Sequence, residues 1–157
     1  MLKKFLETKK HSFDEKYMRL AIKEAELAKA HGEAARGAVI AFPGSFVSAH
    51  QTVFTDKKPC NYAEFNALQK ACNMTSKSFR EAIIYTTTEP NAFCLSAIHE
   101  FGIPELVFGC WDDVNGAISS PRSLITSNFN ITFMGGLLSE ECYNVCSTTL
   151  RESLRYK

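Results

Sequence analysis

The chain predicts an α/β layered fold, a mixed sheet with helices on both faces. Three observations carry that prediction. Strand-length apolar runs alternate with segments of helical period, glycine and proline punctuate the junctions, and the order reads helix, hairpin, then helix and strand in alternation to a closing helix.

The first helix is expected from the capping pattern Ser12-Phe13-Asp14-Glu15, with Tyr17, Leu20, Ala21, Leu27 and Ala28 at helical spacing and Gly32 as its stop. Residues 37–42 form an apolar strand, Pro43-Gly44-Ser45 turns the chain, and residues 46–54 read as the returning strand. Residues 57–60 are a loop leading into a helix over about 61–73. Residues 82–86 are a buried strand that ends at Glu89-Pro90, and Phe93, Cys94, Ala97, Ile98 and Phe101 continue with helical period. Gly102-Ile103-Pro104 breaks that helix before a strand at 106–108. A loop holds Trp111, Asp112 and Asp113, which read as loop packing, and Ser120-Pro121 reads as a short helix start. Residues 131–134 are the last strand, and Ser139-Glu140-Glu141 caps a closing helix.

The 157 residues show no repeat, low-complexity stretch or linker, so a single domain over 1–157 is expected. With 45% hydrophobic residues, 22% charged and a net charge of +1, no global field draws the chain to nucleic acid or membrane. The basic start lacks the apolar run of a signal segment, and no run is long enough to span a bilayer. Six cysteines without an export signal read as reduced thiols in a cytoplasmic location.

Two helix starts carry the chemistry: Cys60-Asn61-Tyr62-Ala63-Glu64 and Glu89-Pro90-Asn91-Ala92-Phe93-Cys94. Here the chain resembles the cytidine deaminase-like superfamily, in its branch of tRNA adenosine deaminases and guanine deaminases. Those proteins carry H-A-E on one helix and P-C-x-x-C on the next, the histidine and cysteines holding zinc and the glutamate moving protons. The resemblance extends over Met18-Arg19-Leu20-Ala21, Gly37-Ala38-Val39-Ile40, His50-Gln51-Thr52-Val53, Ala63 to Leu68, Tyr85 to Pro90 and Gly135 to Cys142. It implies a three-layer sandwich around a mixed sheet of about five strands, and a homodimer whose interface is built on the helices around the metal site.

The departures fall on the ligands. Tyr62 stands at the histidine position and Asn91 at the first cysteine position, leaving Cys94 as the one retained ligand position and Glu64 as the retained proton shuttle. A catalytic zinc needs about three protein ligands and an open position. A phenol with a pKa of about 10 and an amide oxygen are poor substitutes. No cofactor is therefore expected, with zinc only if the site is rebuilt. Around the pocket the resemblance places Arg36, Ala38, Gln51, Tyr62, Ala63, Pro90 and Asn91 against a substrate.

Several of these residues carry two readings. Glu64 is either a carboxylate kept for chemistry or an acid at its own helix start. Cys94, in a first helical turn, is either an activated thiol or an inherited pocket wall. Cys60, with His50 or His99, is a candidate to rebuild a metal site with Cys94. Cys142 and Cys146, spaced i, i+4, read first as a buried helix face. Arg36 is either an anion clamp or a solvated side chain. Lys3, Lys4, Lys9 and Lys10 at one end, with Arg151, Arg155 and Lys157 at the other, raise the prospect of RNA.

The leading expectation is a deaminase-fold pseudoenzyme that binds a small polar ligand, such as a nucleobase or nucleotide, or a partner. One alternative is an active hydrolase on a nucleoside, a nucleobase or tRNA adenosine, acting on C–N bonds through a rebuilt metal site. Another is a non-catalytic RNA-binding subunit beside an active deaminase.

Overall fold

The computed structural model describes residues 14–74, 76–124, 129 and 131–153, with side chains described through residue 147. Helix α1 (Glu15–Ala30) buries Met18, Ala21, Ala25 and Ala28, a stripe at three- and four-residue spacing. Its N-cap is Asp14, whose carboxylate accepts from Lys16 N at 2.9 Å. The expected cap, Ser12, lies outside the described residues.

Strands β1 (Gly37–Phe42) and β2 (Ser45–His50) form a tight hairpin, with Phe42 opposite Ser45 and Gly44 at φ +78° in the turn. The second strand stops at His50, short of the expected Phe54. Backbone bonds from Asp56 N to Thr52 O and from Lys58 N to Val53 O curl residues 52–58 into turns, and Phe54 ends up exposed. Helix α2 (Ala63–Met74) follows. A 3-10 turn at Phe79–Glu81, which the sequence did not signal, is capped by Ser78; it seats the Phe79 ring between Phe42 and Phe101, at 5.5 and 5.3 Å.

Strand β3 (Ile83–Thr88) leads into α3 (Ala92–Phe101), which closes on Gly102 at φ +82°. Strand β4 (Glu105–Cys110), β5 (Thr132–Gly135) and α4 (Ser139–Ser153) complete the order. Ser120-Pro121 starts no helix among the described residues. Ser120 Oγ instead accepts from Arg122 N at 3.0 Å in a turn, the local side-chain bond that competes with helix formation.

The five strands lie in the order β2-β1-β3-β4-β5, antiparallel through β2, β1 and β3 and parallel through β3, β4 and β5. Successive side chains point to opposite faces, and here both faces are covered. Ala38, Ile40, Phe42, Ile84, Leu106 and Phe108 meet Ala67, Leu68, Leu95 and Ile98 of α2 and α3. Val39, Ala41, Tyr85 and Val107 meet Met18 and Ala21 of α1 and Cys142 of α4. The architecture is thus the three-layer α/β sandwich read from the sequence. Gly37 lets α1 come this close, because a Cβ there would sit 1.9 Å from Ala21 O.

Candidate functional site

The parallel strand β3 delivers Glu89, Pro90 and Asn91 to the start of α3, which lies beside the start of α2. Ligand sites in open α/β sheets form at such carboxyl ends of strands. The approach to α2 is stapled. Asn66 Nδ2 donates to His50 O at 2.9 Å and to Thr52 Oγ1 at 3.0 Å, and Asn61 Nδ2 donates to Asp56 Oδ2 at 2.8 Å. Hydrogen bonds from Thr52 and then Asn61 hold the Asp56 carboxyl below its usual pKa.

At the meeting point the Cys94 thiol donates to Glu64 Oε2 at 3.4 Å, with both side chains buried. Burial pushes the Glu64 carboxyl above its usual pKa, opposed by the positive charge of Arg36. Burial, and next the charge of Glu64, push the Cys94 thiol well above its usual value. The helix start therefore does not activate this thiol. Desolvation and a neighbouring carboxylate both oppose ionisation of the Cys94 thiol.

Asn91 has a structural occupation. Its side-chain oxygen accepts from Cys94 N at 2.9 Å and caps α3. The Tyr62 ring lies 6.0 Å from that of Phe93, which in turn meets Phe65 edge-on at 5.2 Å. Phe93, which shares the helical period of Cys94 and Ile98, is 44% exposed. Ala38, Ala63 and Pro90 are buried walls. Gln51 is buried too, and its side-chain Oε1 has no hydrogen-bond partner among the described residues.

Arg36 keeps 20% of its side chain exposed and is engaged by a carboxylate. Its guanidinium pairs with the buried Asp112 carboxylate at 3.4 Å. Asp112, expected as loop packing, is held from beneath by Glu89. That glutamate accepts from Asp112 N (2.9 Å), Ile118 N (2.8 Å), Ser119 N (2.7 Å) and the Ser119 hydroxyl (2.6 Å). Glu89 thus organises the whole 111–119 loop. A glutamate directly after a buried strand and before proline was the sequence signal for it.

The candidates for a rebuilt metal site do not gather. Cys60 lies against Asn61 Oδ1 at 3.7 Å, His50 Nδ1 is held by Glu24 at 2.7 Å, and His99 stacks 4.7 Å from Phe129. No three histidine, cysteine, aspartate or glutamate residues come together to hold a metal ion among the described residues. Two surface hollows lie elsewhere: one of about 340 Å³ beside Arg80, His99 and Pro104, and one of about 310 Å³ beside Cys110, Trp111 and Tyr143. Among the described residues no helix is long and apolar enough to cross a membrane.

The family model for the "Cytidine and deoxycytidylate deaminase zinc-binding region" matches residues 11–110. The chain belongs to the cytidine and deoxycytidylate deaminase family. It is similar to the tRNA-specific adenosine deaminase of Bacillus subtilis, with 31% identity over 149 residues and 92% of each chain covered. The tRNA-specific adenosine deaminase of Haemophilus influenzae is 33% identical, covering 87% of this chain and 82% of that one. Among solved structures, one from a study of A-to-I editing by tRNA:A34 deaminases superposes with a TM-score of 0.78 at 25% identity, covering 84% of this chain and 99% of that one. A Bacillus subtilis guanine deaminase superposes with a TM-score of 0.58 at 27% identity, covering 62% and 64%.

For a member of this deaminase family the donor set at the helix starts does not fit zinc. Of the three positions, one offers a phenol turned toward Phe93, one an amide oxygen already bonded to Cys94 N, and only Cys94 offers a soft donor. This is a deaminase-fold protein without an intact metal-binding cluster among its described residues.

Proposed function

We propose that this chain works by binding on a deaminase scaffold, without zinc-dependent deamination. The observation that carries the reading is the double occupation of the ligand positions: Asn91 is spent as a helix cap and Tyr62 is engaged with Phe93. Glu64, whose partner is a thiol, can orient a small ligand but has no metal-activated water to deprotonate. The unpartnered Gln51 oxygen supports a ligand that brings a hydrogen-bond donor, such as a nucleobase or nucleotide. The six cysteines, none in a disulfide among the described residues, support residence in a reducing, cytoplasmic compartment.

The first test is metal content by plasma mass spectrometry on protein purified without chelator or metal-affinity resin. Near-zero zinc per chain is expected, and about one zinc per chain overturns the reading. The double substitution Tyr62→His with Asn91→Cys is expected to gain zinc, while the loss of the Asn91 cap lowers stability by about 1 kcal/mol.

A second role, as a non-catalytic subunit that presents tRNA or joins an active deaminase, is supported by coverage of nearly the whole length of relatives named for tRNA. Recovery of tRNA or of a catalytic paralogue on the purified chain tests it. The exposed Phe93 beside Phe65 supports the family-type homodimer on α2 and α3. Sedimentation of the chain and of Phe93→Ser checks it, the variant running as a monomer.

A further inference from the structure

On the opposite face of the sheet, three thiols gather where α4 crosses the end of β4. Close approach is possible because position 109 has no side chain, and a Cβ on Gly109 would sit 2.3 Å from Cys142 Sγ. Cys110, the last residue of β4, is the register partner of Thr88. The Thr88 hydroxyl lies 3.4 Å from Cys146 Sγ, and the Cys110 and Cys146 thiols hydrogen-bond to each other. The Cys146 thiol also donates to the Ala35 carbonyl oxygen at 3.0 Å, and the Cys110 thiol reaches Ser139 O at 3.7 Å. Both thiols are nearly sealed, at 6% and 3% exposure, yet Cys110 forms part of the wall of the 310 Å³ hollow with Gly109, Trp111, Ser139, Glu140 and Tyr143.

We infer that Cys110 and Cys146 are an oxidisable pair that closes a disulfide when a peroxide enters through that hollow. The balance is two thiols and one hydrogen peroxide giving one disulfide and two waters. The peroxide O–O bond breaks, one sulfur takes an oxygen as a sulfenic acid, and the first water leaves. The second sulfur then attacks the first, the S–S bond forms, and the sulfenic oxygen departs as the second water. The pair is oxidised by two electrons and the peroxide is reduced by two. The contact between the two thiols lowers the Cys146 thiol and raises that of Cys110. Cys142, one turn earlier on α4, is wedged against Gly109 and is not part of the pair. The bond fastens α4 covalently to the end of β4.

The test is peroxide treatment of the reduced full chain, followed by alkylation and non-reducing peptide mapping. A product lighter by two hydrogens is expected, in which alkylatable thiols measured in denaturant fall from six to four. The linked peptide should join residues 110 and 146. It should survive Cys142→Ser, vanish in Cys146→Ser and reverse with dithiothreitol. Cysteines oxidised singly to sulfinic acid with no linked peptide overturn the inference, as does a link made mainly through Cys60, Cys72, Cys94 or Cys142. The mapping on the unaltered chain stands even if Cys146→Ser fails to fold. Because it reads sulfur pairing alone, its outcome is independent of zinc or ligand binding.

Discussion

Glu89 and Glu64 are both buried carboxylates at helix starts, yet they sit in opposite environments. Glu89, at 0% exposure, accepts from three backbone N–H groups and a serine hydroxyl. Glu64, at 3% exposure, receives a long thiol bond and a bond from its own backbone N–H, and burial raises its pKa. Burying a carboxylate is costly unless donors replace water. The first has them all and is part of the architecture. The second has weaker donors, a thiol and its own backbone N–H, and burial is the largest influence on its proton. Arg36 joins the two regions: it pairs with Asp112, which Glu89 holds, and its charge favours the ionised form of Glu64.

The largest effect that tests this contrast is Glu89→Ala. It strands several buried donors and lets the 111–119 loop go, so a loss of roughly 3–5 kcal/mol is expected in urea unfolding. A loss no greater than that of an ordinary surface change would break the comparison. Arg36→Met leaves Asp112 buried without its cation. Because the guanidinium is partly exposed, about 1–2 kcal/mol is expected from thermal and urea melts. Asn91→Ala removes the cap of α3 at about 1 kcal/mol, and Asn91→Asp retains most of that.

The smallest effect belongs to Glu64→Gln, which is expected to be neutral or stabilising within about 1 kcal/mol at neutral pH. The sign of its pH dependence follows from the raised pKa. The folded state holds the Glu64 proton beyond the ordinary value of 4.5, so the folded chain binds more protons than the unfolded one above that pH. The Glu64 contribution is fully present below 4.5 and is lost as pH rises through the folded value. Unfolding curves of the parent minus those of Glu64→Gln should show this decline, and a flat difference would refute a raised Glu64 pKa.

Much of the fold was legible because burial on two faces writes itself as apolar runs of strand length, as in Gly37–Phe42 and residues 82–86. The ligand losses at Tyr62 and Asn91 were legible for another reason: the family resemblance marks the ligand positions, and the change of donor chemistry there is stated by the residue types. The boundaries were less so. The second strand stopped early because Thr52, Asp56 and Asn61 formed a local hydrogen-bonded knot. Ser120-Pro121 became a turn for a similar reason. Phe93 kept the helical period yet faces outward, since period gives a stripe without saying which neighbour covers it.

By itself, then, the sequence determined the layer order, the two helix starts and the poverty of the metal donors. The first two follow from local pattern, and the third from the family resemblance that puts Tyr62 and Asn91 at ligand positions together with their side-chain chemistry. Only the tertiary structure decided that Glu89 is a clasp, that Arg36 is held by Asp112 and that Cys110 meets Cys146. Those are meetings of residues as many as 76 positions apart, as Arg36 and Asp112 are, and they are set by how the helices settle on the sheet.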